Sequence, residues 1–198
     1  MHFAEIALSV ALGLATSFVF FYWQFHLVVP RVRFSDKISK LPAGDVGNRY
    51  RVKYENCGSR AMIEVTLMAR LRVKGVRKDL PLNWGVATIP MESITPRVAS
   101  VKTSHIRHVP ELELWKTEFD RTFPGDVVEH THNGTMTLEE LLSCGTSSEL
   151  RVYLFAYDEF SGARKVFESK VYGVADVVEG AFEPYSLEIV PRPVVASG

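Results

Sequence analysis

Four histidines stand in two close pairs, His105 with His108 and His130 with His132, and they are the residues whose chemistry would be most distinctive. Read as a strand, Val127–His132 puts His130 and His132 on one face, because side chains two apart on a strand point the same way. Two imidazoles on one face, with Glu129 or Asp126 beside them, are the beginning of a zinc site. The pattern goes no further. No HExxH helix and no CxxC pair accompanies them, so His130 and His132 are weak metal candidates and no cofactor is expected. The chain also lacks a G-x-S-x-G elbow, a P-loop and a G-x-G-x-x-G opening a helix, so an enzyme is not expected.

A second group acts through charge. Arg31, Arg33, Lys37 and Lys40 follow directly on a stretch, Ile6 to Val29, that carries no Lys, Arg, Asp or Glu. Basic side chains beside an anionic leaflet are worth about 1 kcal/mol each, so the four are candidates for contact with anionic lipid headgroups. Their plainer role is a stop-transfer flank that fixes topology. Within the uncharged stretch, Ser9, Gly13, Thr16 and Ser17 are candidates for a helix interface, since small residues let helices approach closely.

The element that must position both groups is a membrane helix. Ile6 to Trp23 is the most apolar part and, at the rise of an α-helix, spans roughly 27 Å, close to a bilayer's hydrocarbon thickness. A cleaved signal would need a basic leader and small residues at its end, whereas Met1 to Glu5 is slightly acidic and Phe18, Phe20, Phe21, Tyr22, Trp23 and Phe25 are bulky. Positive charge on the C-terminal flank predicts a single-pass protein of the cell membrane, with its N-terminus outside and residues from about Pro30 onward in the cytoplasm. Cys57 and Cys144 fit free thiols in a reducing compartment. The sequon Asn133-Gly134-Thr135 reads as a polar turn, and would acquire meaning only in an exported domain.

Behind the helix the periodicity is that of strands. Ala61, Ile63, Val65, Leu67, Ala69, Leu71 and Val73 are apolar at every second position, which predicts a long strand with one buried face. Tyr50, Val52 and Tyr54 alternate before it, and Asn56-Cys57-Gly58-Ser59 is expected to join the two as a hairpin. On this pattern Met62 and Met68 fall on the polar face, where a covering sheet, subunit or domain would meet them. A second hairpin is expected from Leu150 to Ala156, through Asp158–Gly162, to Lys165–Gly173. Shorter strands are expected at Leu82–Thr88, Arg97–Lys102, Glu111–Phe119 and Val127–His132. Helix is scarce: Thr137 with Glu140 has capping-box spacing ahead of Leu138–Ser143. Many short strands with little helix give a mainly β fold, an immunoglobulin-like antiparallel β-sandwich behind one transmembrane helix. The division expected is 1–29 for the helix, 30–47 for a basic juxtamembrane linker, 48–183 for the sandwich and 184–198 for an extended tail. Balanced charge, 23 basic against 23 acidic residues, gives no pull toward nucleic acid.

The residues also resemble a family. An apolar helix running into Pro30-Arg31-Val32-Arg33-Phe34-Ser35-Asp36, then Tyr50-Arg51-Val52, then Ile63-Glu64-Val65 leading to Ala69-Arg70-Leu71, is similar to the inner helix and first hairpin of inwardly rectifying potassium channels. Val152-Tyr153-Leu154 through Ser161-Gly162 to Tyr172, with Asp176, Val177, Gly180 and Phe182, is similar to the end of those channels' cytoplasmic sandwich. The outer helix and the glycine-rich selectivity filter have no counterpart, so this chain alone is not expected to conduct potassium selectively. The resemblance implies a cytoplasmic module that assembles as a homo-oligomer, or with a membrane protein partner, and senses lipid or soluble ligands. The expected function is an oligomerising sensing or regulatory module. The alternatives are a reduced or auxiliary ion-channel subunit and, with opposite topology, an exported receptor or adhesion sandwich.

Overall fold

A computed structural model describes residues 2–24, 28–43, 47–91, 95–99 and 108–190 of the protein. It is mainly β, with several sheets and one N-terminal apolar helix. That helix, α1 (His2–Tyr22), carries no charged side chain but Glu5 and is long and apolar enough to cross a membrane. Its apolar side chains stand open: Phe3, Leu8, Leu12, Leu14 and Phe18 are all more than two-thirds exposed. Apolar side chains left this open in water would be costly, at about 25 cal/mol per Å², and a lipid environment removes that cost.

The chain then runs through β1 (Val32–Phe34), β2 (Ile38–Pro42), β3 (Asn48–Arg51), β4 (Tyr54–Asn56), β5 (Met62–Lys74), β6 (Trp84–Pro90), β7 (Thr95–Val98), β8 (Glu111–Leu112) and β9 (Glu118–Phe119). Two short helices follow, α2 (Gly125–His132) and α3 (Leu138–Ser143), then β10 (Ser147–Asp158), β11 (Arg164–Glu168), β12 (Val177–Glu179), β13 (Ala181–Phe182) and β14 (Ile189–Val190). The larger sheet has the order β11-β10-β5-β6-β9, with β7 also on β5; the smaller has the order β12-β2-β3-β8. β12 lies parallel to β2, and the other pairings are antiparallel. Val65, Leu67, Ala69, Leu71 and Val73 of β5, with Leu150, Val152 and Leu154 of β10, share one core with Ile38, Tyr50 and Leu112 of the smaller sheet. Leu138, Leu141 and Leu142 of α3 close it.

Several expectations are met and several are corrected. The long strand stands, but its alternation breaks at Glu64, whose backbone sits at φ 51 beside a register shift against β10. One extra residue in β5 turns Met62 into the core and Ile63 outward, so Met62 is buried and only Met68 stays on the outer face. β4 does not form a hairpin with β5; it pairs with β1, which follows α1 in the chain. Val127–His132 is helical, as part of α2, not a strand. Glu111–Phe119 splits into β8, a 3₁₀ turn at Leu114–Lys116, and β9. β7 begins earlier than expected, and 100–102 lie outside the described residues. The stretch 30–47 contains two strands, and Pro184 leads into β14, which pairs back on β13.

Candidate functional site

Strand register defines two ends. Met62 pairs with Asp158 and with Val98, while Lys74 pairs with Ser147 and Trp84. Arg60, just before β5, donates to Gln24 Oε1 at 2.6 Å, two residues beyond α1. The Met62 end is therefore the end nearest α1, and the Lys74 end lies roughly 40 Å away at the rise of a strand.

The neck at this end is woven rather than hinged. β1 pairs with β4, and the loop after β4 wraps the incoming chain: Cys57 N–H (2.7 Å) and Gly58 N–H (3.3 Å) both donate to the Arg31 carbonyl, and Ser59 N–H donates to that of Val29 (3.3 Å). The buried Asn56 side chain accepts from Arg31 N–H (3.2 Å) and donates to the Arg60 carbonyl (2.6 Å). Gly58 is required by this closeness, because a Cβ there would overlap the backbone of Val29, Pro30 and Arg31. Arg60 is nearly buried: its guanidinium lies 3.5 Å from the buried Asp158 carboxylate and 4.1 Å from the centre of the Phe160 ring. One planar cation thus joins the end of the helix to the turn between β10 and β11.

Three of the four basic residues expected at the membrane surface are committed within the domain. Arg33 pairs with Glu55, whose side chain is 2% exposed; Lys37 pairs with Asp176 (2.9 Å), and Lys40 with Glu139 (2.6 Å). Among the described residues Arg31 has no acidic partner, and it remains exposed. Burial raises the Asp176 carboxyl, but the Gly173 N–H and the Lys37 and Lys170 ammonium groups outweigh it and hold the value near about 2. Burial likewise opposes the ionised form of Glu139, and hydrogen bonds from Lys40 and the Tyr50 hydroxyl (2.6 Å) overcome it, leaving its pKa below the usual range. The last two pairs tie β2 and the residue before it to α3 and to the turn that leads into β12.

The other sequence candidates fall elsewhere. Ser9, Gly13, Thr16 and Ser17 do share one face of α1, with Leu12 and Phe20, along a shallow groove. The Ser9 and Thr16 hydroxyls donate to the carbonyls of Glu5 (2.9 Å) and Leu12 (2.8 Å), so they present no unpaired polar group to lipid or to another helix. His130 and His132, two apart on a helix, diverge by about 200°. His130 Nδ1 meets Thr135 Oγ1 at 3.0 Å, and His132 Nε2 meets the Thr117 carbonyl at 2.8 Å. Among the described residues no three His, Cys, Asp or Glu gather as a metal site. His105 lies outside those residues; His108 stacks on Tyr54 at 5.3 Å and is held below its ordinary pKa by burial. Cys57 and Cys144 are both free thiols, Cys57 exposed.

A cleft of about 400 Å³ opens between β3, β8 and the turn joining α2 to α3, with Tyr50, Leu112, Met136 and the half-exposed Trp115 on its walls. Arg49 and Glu111 pair across it at 2.6 Å. Sequence reasoning missed this cleft and most of the neck, because the partners of Arg60 lie far along the chain at Gln24 and Asp158. Only Gly58, inside a loop of small and polar residues, left a local trace.

Together these features define a β-rich domain tied at its neck to a helix able to span a membrane. No protein-family model matches the chain, and a search of curated proteins returns no similar sequence.

Proposed function

We propose that this is a single-pass membrane protein whose β domain lies in the cytoplasm and works as an oligomerising sensing or regulatory module, without chemistry of its own. The observation that carries this reading is the neck. The loop Asn56–Arg60 clasps Val29 and Arg31, and Arg60 reaches Gln24, so domain and helix move together. A ligand or partner that prefers one orientation of the domain thereby biases the helix, by as much as its affinities for the two arrangements differ and no more. A tenfold difference in affinity supplies about 1.4 kcal/mol. Contact with anionic headgroups rests first on Arg31, since Arg33, Lys37 and Lys40 each already have an acid within the domain.

Maleimide labelling of the exposed Cys57 tests the topology: the reading expects reaction in opened cells only, and labelling of intact cells overturns it in favour of an exported receptor or adhesion domain. Mass measurement in detergent tests assembly, where the reading expects an oligomer and a strict monomer defeats it. The groove of small residues on α1 favours a second reading, an auxiliary or reduced ion-channel subunit whose helices pack along Ser9, Gly13, Thr16 and Ser17. Ion flux into liposomes containing the pure protein separates the two, since the regulatory reading expects none.

A further inference from the structure

We propose that the turn between β10 and β11 is a second membrane contact, with Phe160 seated in the headgroup layer beside the helix. Its position follows from register and from one side chain. Met62 and Asp158 are paired at the membrane end of the larger sheet, and Glu159–Ala163 continue past them in the direction of the helix. Arg60 spans the remaining gap, donating to Gln24 at 2.6 Å and stacking at 4.1 Å on the Phe160 ring. With Phe3–Tyr22 as the span, Trp23 and Gln24 lie at the interface, and Phe160 is one side chain away from them.

The turn is built to hold its shape. The buried Asp158 carboxylate accepts from Phe160 N–H (2.9 Å) and Ser161 N–H (3.3 Å). Gly162 N–H returns to the Asp158 carbonyl (2.8 Å) with the glycine at φ 65, where a left-handed residue is needed. Glu159 is pinned from outside by Arg97 at 2.8 and 3.0 Å, and its N–H donates to the Ala61 carbonyl. So firm a turn nevertheless leaves Phe160 62% exposed. The partly buried rings of Trp84 and Phe155 on the same sheet also lie under guanidinium groups, those of Arg72 and Arg164, but stand less open than Phe160. Arg60 covers one face of Phe160 and leaves the rest at the level where aromatic rings settle at a bilayer surface. The partner is therefore the lipid bilayer itself.

This inference rests on the membrane-anchor part of the proposed function and not on what the module senses. In a Cys57→Ser, Cys144→Ser background, the full chain is reconstituted in phosphatidylcholine vesicles with an environment-sensitive fluorophore at Phe160→Cys, at Leu82→Cys on the opposite end, or at Ser17→Cys within α1. The expected result is a blue-shifted emission at position 160 and several-fold stronger quenching by a headgroup nitroxide lipid there than at position 82. If emission at position 17 is blue-shifted and position 160 is as exposed to water as position 82, the proposal is overturned while the anchor stands. If emission at position 17 is not blue-shifted, the anchor fails and the proposal with it. Ser161→Cys provides the same readout, with the same expectation, should Phe160→Cys not fold.

Discussion

At the scale of single residues, the neck concentrates the demands. Gly58→Ala places a methyl group against backbone on three sides, none of which can yield as a flexible side chain would. We expect it to lower stability by about 1–3 kcal/mol in chemical denaturation, the typical cost of forcing an extra methyl into a closely packed site. Asp176 supplies a pH signature. Its folded pKa, near about 2, lies below the ordinary 3.8, so its carboxylate contributes stability that is full above about pH 4 and is lost as the pH falls toward 2. Glu139 is shifted in the same direction. Thermal melts at stepped pH should show Asp176→Asn less stable than the parent at pH 7, with the gap narrowing as the pH drops through that window. The ion pairs themselves were not legible in the sequence. Arg33, Lys37 and Lys40 look like a membrane flank because they are adjacent, while their partners Glu55, Asp176 and Glu139 are supplied by strands and helices from elsewhere in the chain.

At the scale of elements, the clearest signals were those written locally. Thr137 does accept from Glu140 N–H, and the Glu140 carboxylate does accept from Thr137 N–H, the reciprocal capping box its spacing announces. Thr137→Ala should cost about 1 kcal/mol, read by denaturant midpoint, because it leaves an N-terminal N–H of α3 without its cap. The hairpin of β10 and β11 was equally legible from alternation and a turn rich in Asp, Ser and Gly. The bulge in β5 was not, since nothing in the pattern of apolar residues marks Glu64 as the position where the backbone turns left-handed. A non-glycine residue there is strained by roughly 1–2 kcal/mol, partly offset by the entropy a glycine loses on folding. Glu64→Gly is therefore expected to raise stability by up to about 1 kcal/mol, visible as a higher melting temperature. α2 escaped for a different reason. Val127, Val128 and Thr131 are β-branched and argue for a strand in isolation, but here Thr131 is buried under the core and its hydroxyl donates to the Val127 carbonyl one turn back.

At the scale of the whole molecule, the stiffness of the connection matters most. Arg60 is the one side chain described that touches Gln24, Asp158 and Phe160 together. Arg60→Ala should broaden the distribution of distances between spin labels on α1 and on the Lys74 end of the larger sheet. Arg60→Lys should fail to restore it, because an ammonium cannot stack and fork at once. Gln24→Leu, outside the sheets, should produce the same broadening with the domain's melting temperature unchanged. Mainly β architecture and the apolar helix could be read from periodicity and composition alone. The clasp between them could not, because it depends on which loops the register brings to one end.

The parallel pairing of β2 with β12 has a consequence for how the protein is made. Ser39, a few residues beyond the neck, donates its hydroxyl to the carbonyl of Gly180, 141 residues further along the chain. At ordinary translation speeds, that interval takes on the order of ten seconds to synthesise. Throughout it α1 is already made while β2 waits with one edge open. A strand close behind α1 is thus among the last to be completed, and a ribosome halted before Val177 would leave that edge unpaired beside an apolar helix, open to wrong pairing.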